Sequence, residues 1–296
     1  CGGSEAVIRS YNDVARLLSR WDYAPEAVVA YGRALESAMC NRDAASLLES
    51  VTYRYEHGGD VPIRDVLSGM DGFAEACGES NYTMRMLPYL CMLEGAEKRY
   101  TSAGIGEDVY TDSFADLLWK TRECKRIYGV YGSFVAPWFY RFFELKCFAL
   151  GRLQFEFASF KADAPLSPGQ RVINVHIPSS GALRHEDCEA AYARAVSFFG
   201  CGMEKSVPFV CDSWLLHPLC SGLDEASGIR RFAADYELLY VIDDPQCSDM
   251  WIIFGVPWTG DASALPENTS LQRIFRRRLL AGGSVGRGYG LYNRKL

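Results

Sequence analysis

Apolar positions follow one period in the first half of the chain and another in the second. Up to about residue 148 they recur with helical spacing. Val28, Tyr31, Leu35 and Met39 line one side of a helix that Pro25 opens; a first-turn residue has no intrahelical use for its N–H, so proline is tolerated there. In TDSFADLLWKTRECKRIYG, Phe114, Leu117, Leu118, Cys124 and Ile127 again share a face. Thr111 or Asp112 is the expected N-cap of this helix and Gly129 its stop. The aromatic run FVAPWFYRFFELKCFAL follows. It is too short and too interrupted to span a bilayer and is expected at a domain junction. Nothing in this half assembles a catalytic constellation.

Beyond Gly151 the residues alternate. Leu153, Phe155 and Phe157 oppose Arg152, Gln154 and Glu156; after the turn-rich KADAPLSPGQ, Ile173, Val175 and Ile177 oppose Asn174 and His176. This is the pattern of two antiparallel strands. SSGALR then leads into a helix with Cys188, Tyr192, Ala195 and Phe199 inward, followed by a strand, VPFVCDSWLL. Next are expected a helix carrying Ile229, Phe232, Ala233, Tyr236 and Tyr240, a strand in DMWIIFGVP, the helix TSLQRIFRRRLLAGG and a last strand in GRGYGLY. The expectation is a helical domain over 1–148 and, over 149–296, an α/β (α+β) domain with a mixed, twisted sheet flanked by helices.

A chain of 296 residues has room for two cores, and 49% apolar with 23% charged residues is a globular balance. The net charge of −6 argues against nucleic acid as a partner, and no apolar run suits a membrane span. The 11 cysteines include no CxxC pair, so neither a zinc knuckle nor a redox dithiol is expected, and no metal. Buried thiols of a cytoplasmic protein account for them. The opening CGGSE imitates a processed lipoprotein, but is read as a numbering artefact.

Two neighbouring strands that bury the same apolar face must also share their polar face. Gln154, Glu156, Asn174 and His176 are therefore expected as one patch, with Asp212 or Ser213 joining from the next strand. Such a row is costly in a covered sheet unless hydrogen-bonded or wet. It is either a site, with Glu156 or His176 as base and Tyr236 or Tyr240 as acid, or simply the solvent- or domain-facing side. His217, before Pro218, is expected to cap a turn, and Cys211 to be a buried strand thiol. GGSVGRGYG follows a helix and not a strand, which excludes a dinucleotide loop; Gly282 and Gly283 are the helix stop.

The segments GRLQFEF, NVHIPSSGAL, FVCDSWLLHP, SGIRRF, WIIFGVP and TSLQRIFRRRLLAGG with GRGYG, joined by GIGEDVYTDSFADLLW in the first half, resemble a bacterial family of two-domain acyltransferases. Its members have a helical N-terminal domain and a GNAT-like C-terminal domain. The resemblance implies this fold and acyl-CoA as co-substrate, and it implies no settled acceptor. With the strand–loop–helix order it leads to the expectation of N-acyl transfer to a small amine acceptor held partly by the helical domain. It implies that RVINVHI and PFVCDSWLL are parallel neighbours splayed around the thioester arm. Ser179, Ser180, Gly181, Ala182 and Leu183, with Arg184, then form the cofactor-binding loop, and the free N–H groups of the following helix start receive the pyrophosphate. Gly181 suits a positive φ or close approach. In this picture Glu156, His176 and Tyr236 are the catalytic residues. The usual Q/R-x-x-G-x-G/A loop is absent, and Arg184 and His185 stand where the family carries an acidic cap and a proline. Glu186 and Asp187 favour the helix but repel an anion. The run Arg273, Arg276, Arg277 and Arg278 is either a CoA-phosphate contact or a solvated helix face. Two other readings stand beside the enzyme: a non-catalytic ligand-binding or interaction protein on a degenerate GNAT fold, and a sugar- or nucleotide-modifying enzyme on an unrelated fold, which a metal would support. A homodimer is left open.

Overall fold

A computed structural model of the chain describes residues 8–200 and 206–295, so the CGGSE opening lies outside the described residues. The chain divides into two compact units, one ending at Lys146 and the other beginning at Cys147.

The first unit is helical: α1 (Tyr11–Leu18), α2 (Pro25–Cys40), α3 (Arg42–Glu56), α4 (Ile63–Phe73), α5 (Asn81–Met84), α6 (Leu87–Ser102), α7 (Glu107–Tyr128) and α8 (Tyr140–Phe143). Helix α6 is buried nearly all round, through Leu87, Leu90, Met92, Leu93 and Ala96, as a central helix must be. Pro25 starts α2 as expected. Helix α7 begins at Glu107, earlier than the Thr111 or Asp112 predicted as its cap, with two acidic residues in its first turn to complement the dipole. It stops at Gly129, which is left-handed at φ 76°. The aromatic run forms a short 3₁₀ turn, Ala136–Phe139, and then α8. Helices this short leave carbonyls unpaired. Buried tyrosines supply the donors: Tyr55 to the Phe143 carbonyl at 2.8 Å, Tyr89 to Ala136 at 2.6 Å and Tyr100 to Phe142 at 3.2 Å.

The second unit contains β1 (Cys147–Ala149), β2 (Gln154–Ser159), β3 (Arg171–His176), α9 (His185–Phe199), β4 (Ser206–Ser213), α10 (Gly228–Ala234), β5 (Glu237–Ile242), α11 (Met250–Phe254), α12 (Ser270–Leu280) and β6 (Arg287–Lys295). Among the described residues the strands form one sheet in the order β1-β2-β3-β4-β6-β5. Only β3 and β4 run parallel; the other pairs are antiparallel. The mixed sheet with flanking helices is the predicted fold. Helix α9 covers one face, with Cys188, Ala191, Tyr192, Ala195 and Phe199 buried. Its Tyr192 meets Phe155 at 6.0 Å and Phe209 at 5.0 Å between ring centres.

Three elements differ from the sequence expectation. The helix predicted through Tyr240 ends at Ala234, and Glu237–Ile242 is a strand pairing with β6. Strand β6 carries Gly288 and Gly290 in this stretch, where an added Cβ would lie 2.5 Å from the Leu216 carbonyl and 2.8 Å from a Leu216 methyl, so the glycines let the turn after β4 pack against it. DMWIIFGVP is helical at Met250–Phe254, placing Met250, Ile253 and Phe254 in one cluster with Phe275 and Leu279. Strand β1 was not foreseen, because Cys147, Phe148 and Ala149 are all buried and show no alternation. No helix among the described residues is long and apolar enough to cross a membrane.

Candidate functional site

The register of the sheet builds a polar row. Glu156 stands opposite Cys147 on β1 and opposite Asn174 on β3, while Gln154 stands opposite His176. These residues alternate with Phe155, Ile173 and Val175, so they occupy the face away from α9. A His176 Nε2–Glu156 Oε1 contact of 2.8 Å joins the two predicted catalytic residues. The Asn174 amide nitrogen lies 3.1 Å from the same imidazole nitrogen and 3.4 Å from Glu156 Oε1. Side-chain exposure is 20% for His176 and 17% for Glu156, while Gln154 is buried. Where Nε2 carries the proton it donates to Glu156, the carboxylate orients the ring and the lone pair is left on Nδ1.

Beside this pair the sheet opens. The β3–β4 register covers Ile173 with Phe209 and Asn174 with Val210 and stops there, although β3 continues to His176 and β4 to Ser213. The polar pair thus sits beside the point where the ladder between the two parallel strands has ended.

From the end of β3 the chain turns into α9 through Ser179, Ser180, Gly181, Ala182, Leu183 and Arg184. Gly181 has φ 122°, a conformation that a Cβ disfavours, although the space beside it is open. Arg152 holds the loop from behind: its guanidinium donates to the carbonyls of Pro178 at 2.9 Å, Gly181 at 3.0 Å and Ala182 at 3.0 Å. Burial pulls Arg152 below its ordinary pKa, though it remains a cation at neutral pH. Helix α9 has no side-chain cap, Arg184 being its N-cap residue. The Arg184 guanidinium instead meets Asp187 at 2.6 Å. A cleft of about 420 Å³ lies here, lined among others by Ala182, Leu183, Arg184, Ser227, Gly228 and Arg231. Gly228 is required at its wall, because a Cβ there would fall 2.0 Å from the Leu183 carbonyl oxygen.

Other predicted residues go elsewhere. Asp212 shares the face of the polar row but pairs with Arg287 at 3.3 Å and Lys161 at 3.8 Å, and the Ser213 hydroxyl caps the following 3₁₀ turn. Tyr236 lies just past α10 and not on it; its hydroxyl is 2.6 Å from that of Tyr192, on the α9 side of the sheet, and burial holds its pKa well above the ordinary value. Tyr240, on β5, stacks on Tyr289 of β6. His217 caps the turn after it, accepting from the Leu219 N–H at 3.3 Å. Cys211 is fully buried, with its thiol pKa raised by burial. Arg276 is held by Glu267 and two carbonyls. The sequence reading missed Cys147, which lies within 4.8 Å of Glu156 and His176 ligand atoms, and Arg152, whose alternation marked it only as polar.

Two family models match. Residues 12–145 match an N-acyltransferase N-terminal domain and residues 147–292 a GNAT-like C-terminal domain. Solved structures with the same fold include an acyltransferase in complex with decanoyl-CoA and teicoplanin, at TM-score 0.77 and 19% identity over 99% of this chain and 91% of that one. An acyltransferase in complex with CoA and 10C-teicoplanin gives TM-score 0.74 and 20% identity over the same shares. An acyltransferase with decanoyl-CoA gives 0.67 and 18%, over 96% of this chain and 99% of that one. No curated protein matches the sequence. This chain is a two-domain protein with a helical N-terminal domain and a GNAT-like C-terminal domain.

Proposed function

We infer that the protein is an acyl-CoA-dependent N-acyltransferase, moving an acyl group from CoA to the amine of a small acceptor. The observation that carries this reading is the 2.8 Å Glu156–His176 pair beside the end of the short parallel β3–β4 ladder. The acyl-CoA and teicoplanin complexes of proteins with this fold support the donor class.

His176 takes a proton from the acceptor ammonium, and Glu156 stabilises the imidazolium. The free amine attacks the thioester carbonyl; a C–N bond forms, the C–S bond breaks and CoA leaves as a thiolate. Tyr236, kept protonated by burial, passes its proton to that thiolate and takes up the excess proton shed by the new amide nitrogen, so it ends neutral. It lies on the α9 side of the sheet, opposite the face that carries His176. Ser179 to Leu183 and Arg184 hold the cofactor phosphates, with Arg152 keeping the loop carbonyls turned away. Positioning the two substrates contributes about 7–11 kcal/mol and acid–base help roughly 10²–10⁴-fold.

Thermal unfolding with acetyl-CoA, octanoyl-CoA and decanoyl-CoA tests the donor. At about 100 times the dissociation constant the native state gains about 2.7 kcal/mol. The absence of any shift with every CoA sinks the reading. Glu186 and Asp187 in the first turn of α9 favour a competing one, a ligand-binding protein without turnover. A thermal shift without CoA release across a panel of amines decides for that alternative.

A further inference from the structure

The side of Glu156 that faces β1 carries a third group which acyl transfer does not use. Cys147 stands directly across from Glu156 and is fully buried. One ligand atom each of Cys147, Glu156 and His176 fall within 4.8 Å of one another. We propose that these three side chains form a site for a thiophilic divalent cation, best fitted by Zn²⁺, and that the ion inhibits the protein by occupying the imidazole and carboxylate of the acid–base pair.

The donor set argues for the metal. Zinc takes thiolate sulfur at about 2.3 Å, imidazole nitrogen at about 2.0–2.1 Å and carboxylate oxygen at about 2.0–2.2 Å. Ligand atoms around one ion then stand roughly 3–4 Å apart, so a trio already gathered within 4.8 Å needs only small side-chain rotations. A mixed sulfur, nitrogen and oxygen set disfavours magnesium and calcium, which prefer oxygen alone. The ligands stand on three adjacent strands of a hydrogen-bonded sheet, so their backbones are fixed before any ion arrives. The Asn174 amide beside both His176 and Glu156 supplies a neighbour that orients them. Partial exposure of Glu156 and His176 gives the ion an approach, and binding releases the proton of the Cys147 thiol to water. Three protein ligands leave a fourth position for water. The inhibitory effect rests on the proposed role of His176 and Glu156; the site itself does not.

The experiment uses the whole chain, freed of metal with a chelator and titrated anaerobically with Co²⁺. The expected result includes one tight equivalent showing ligand-field bands and a thiolate-to-cobalt charge-transfer band, both abolished by Zn²⁺. Cys147→Ser loses the charge-transfer band. His176→Gln keeps the thiolate but weakens binding at least tenfold, with the unfolding midpoint of each variant recorded as a folding control. A charge-transfer band that persists at full strength in Cys147→Ser places the metal on another cysteine and overturns the site, as does no binding at all. In the second arm, CoA release is followed against rising Zn²⁺, each protein normalised to its own metal-free rate. Half-inhibition is expected at least tenfold higher for Cys147→Ser than for the parent chain. Equal sensitivity overturns the inhibitory coupling. An intact cobalt spectrum in a protein that never releases CoA overturns the acyl-transfer reading and leaves the site standing.

Discussion

Strands β2, β3 and β4 present two faces made from alternate residues of the same segments, and the faces are built to opposite rules. Toward α9 stand Phe155, Ile173, Val175, Phe209 and Cys211, all buried. Phe209 touches Phe155, Tyr192 and Tyr292. Away from α9 the same strands carry Glu156, Asn174 and His176, bonded to one another. One residue of register separates them, so the aromatic packing of one face holds the polar row of the other in place. Stability and chemistry are therefore expected to separate by face.

The largest effect that would break this division is in turnover: His176→Ala is expected to lower acyl transfer by roughly 10²–10⁴-fold. Unfolding stability should move by about 1 kcal/mol or less, with the decanoyl-CoA thermal shift retained. Loss of several kcal/mol instead would make the polar row structural. Phe209→Ala is the mirror image, expected to cost about 3–5 kcal/mol in denaturant unfolding while the surviving folded protein still turns over. Arg152→Met removes three charge-assisted bonds from the loop and should raise the KM for acyl-CoA about tenfold, with a smaller change in kcat. A fall in kcat alone would place Arg152 outside the loop's business. Tyr236→Phe should show the smallest change, about 1 kcal/mol of stability from the lost bond to Tyr192, together with a modest slowing of CoA release. Unchanged release would leave the thiolate proton to water.

These faces were legible because alternation is the strongest signal a half-covered strand can give. Leu153 to Phe157 and Ile173 to Ile177 alternate cleanly, and the join by a turn forces antiparallel pairing, so the Glu156–Asn174–His176 contact followed from sequence. Where both faces are covered the signal vanishes, and Cys147 to Ala149 went unread for that reason. Short apolar runs carry no period of their own: Met250–Phe254 reads as well for a strand as for the helix it forms, and Glu237–Ile242 as well for a helix as for the strand it forms. Long-range polar contacts were beyond reach as well. Arg152 finds its three carbonyls across 26 to 30 residues of chain, and Asp212 is drawn to Lys161 and Arg287 by partners that no local spacing reveals.

The grip of Arg152 on the Pro178, Gly181 and Ala182 carbonyls has a kinetic side. A loop of glycine and small residues left to itself samples many conformations, and a ligand that had to organise it would lose both affinity and speed. Here the loop gives up that freedom when the domain folds. Any anion docking against it is met by a surface already in shape, so its association rate should follow diffusion and electrostatic steering and show no slow loop-closing phase.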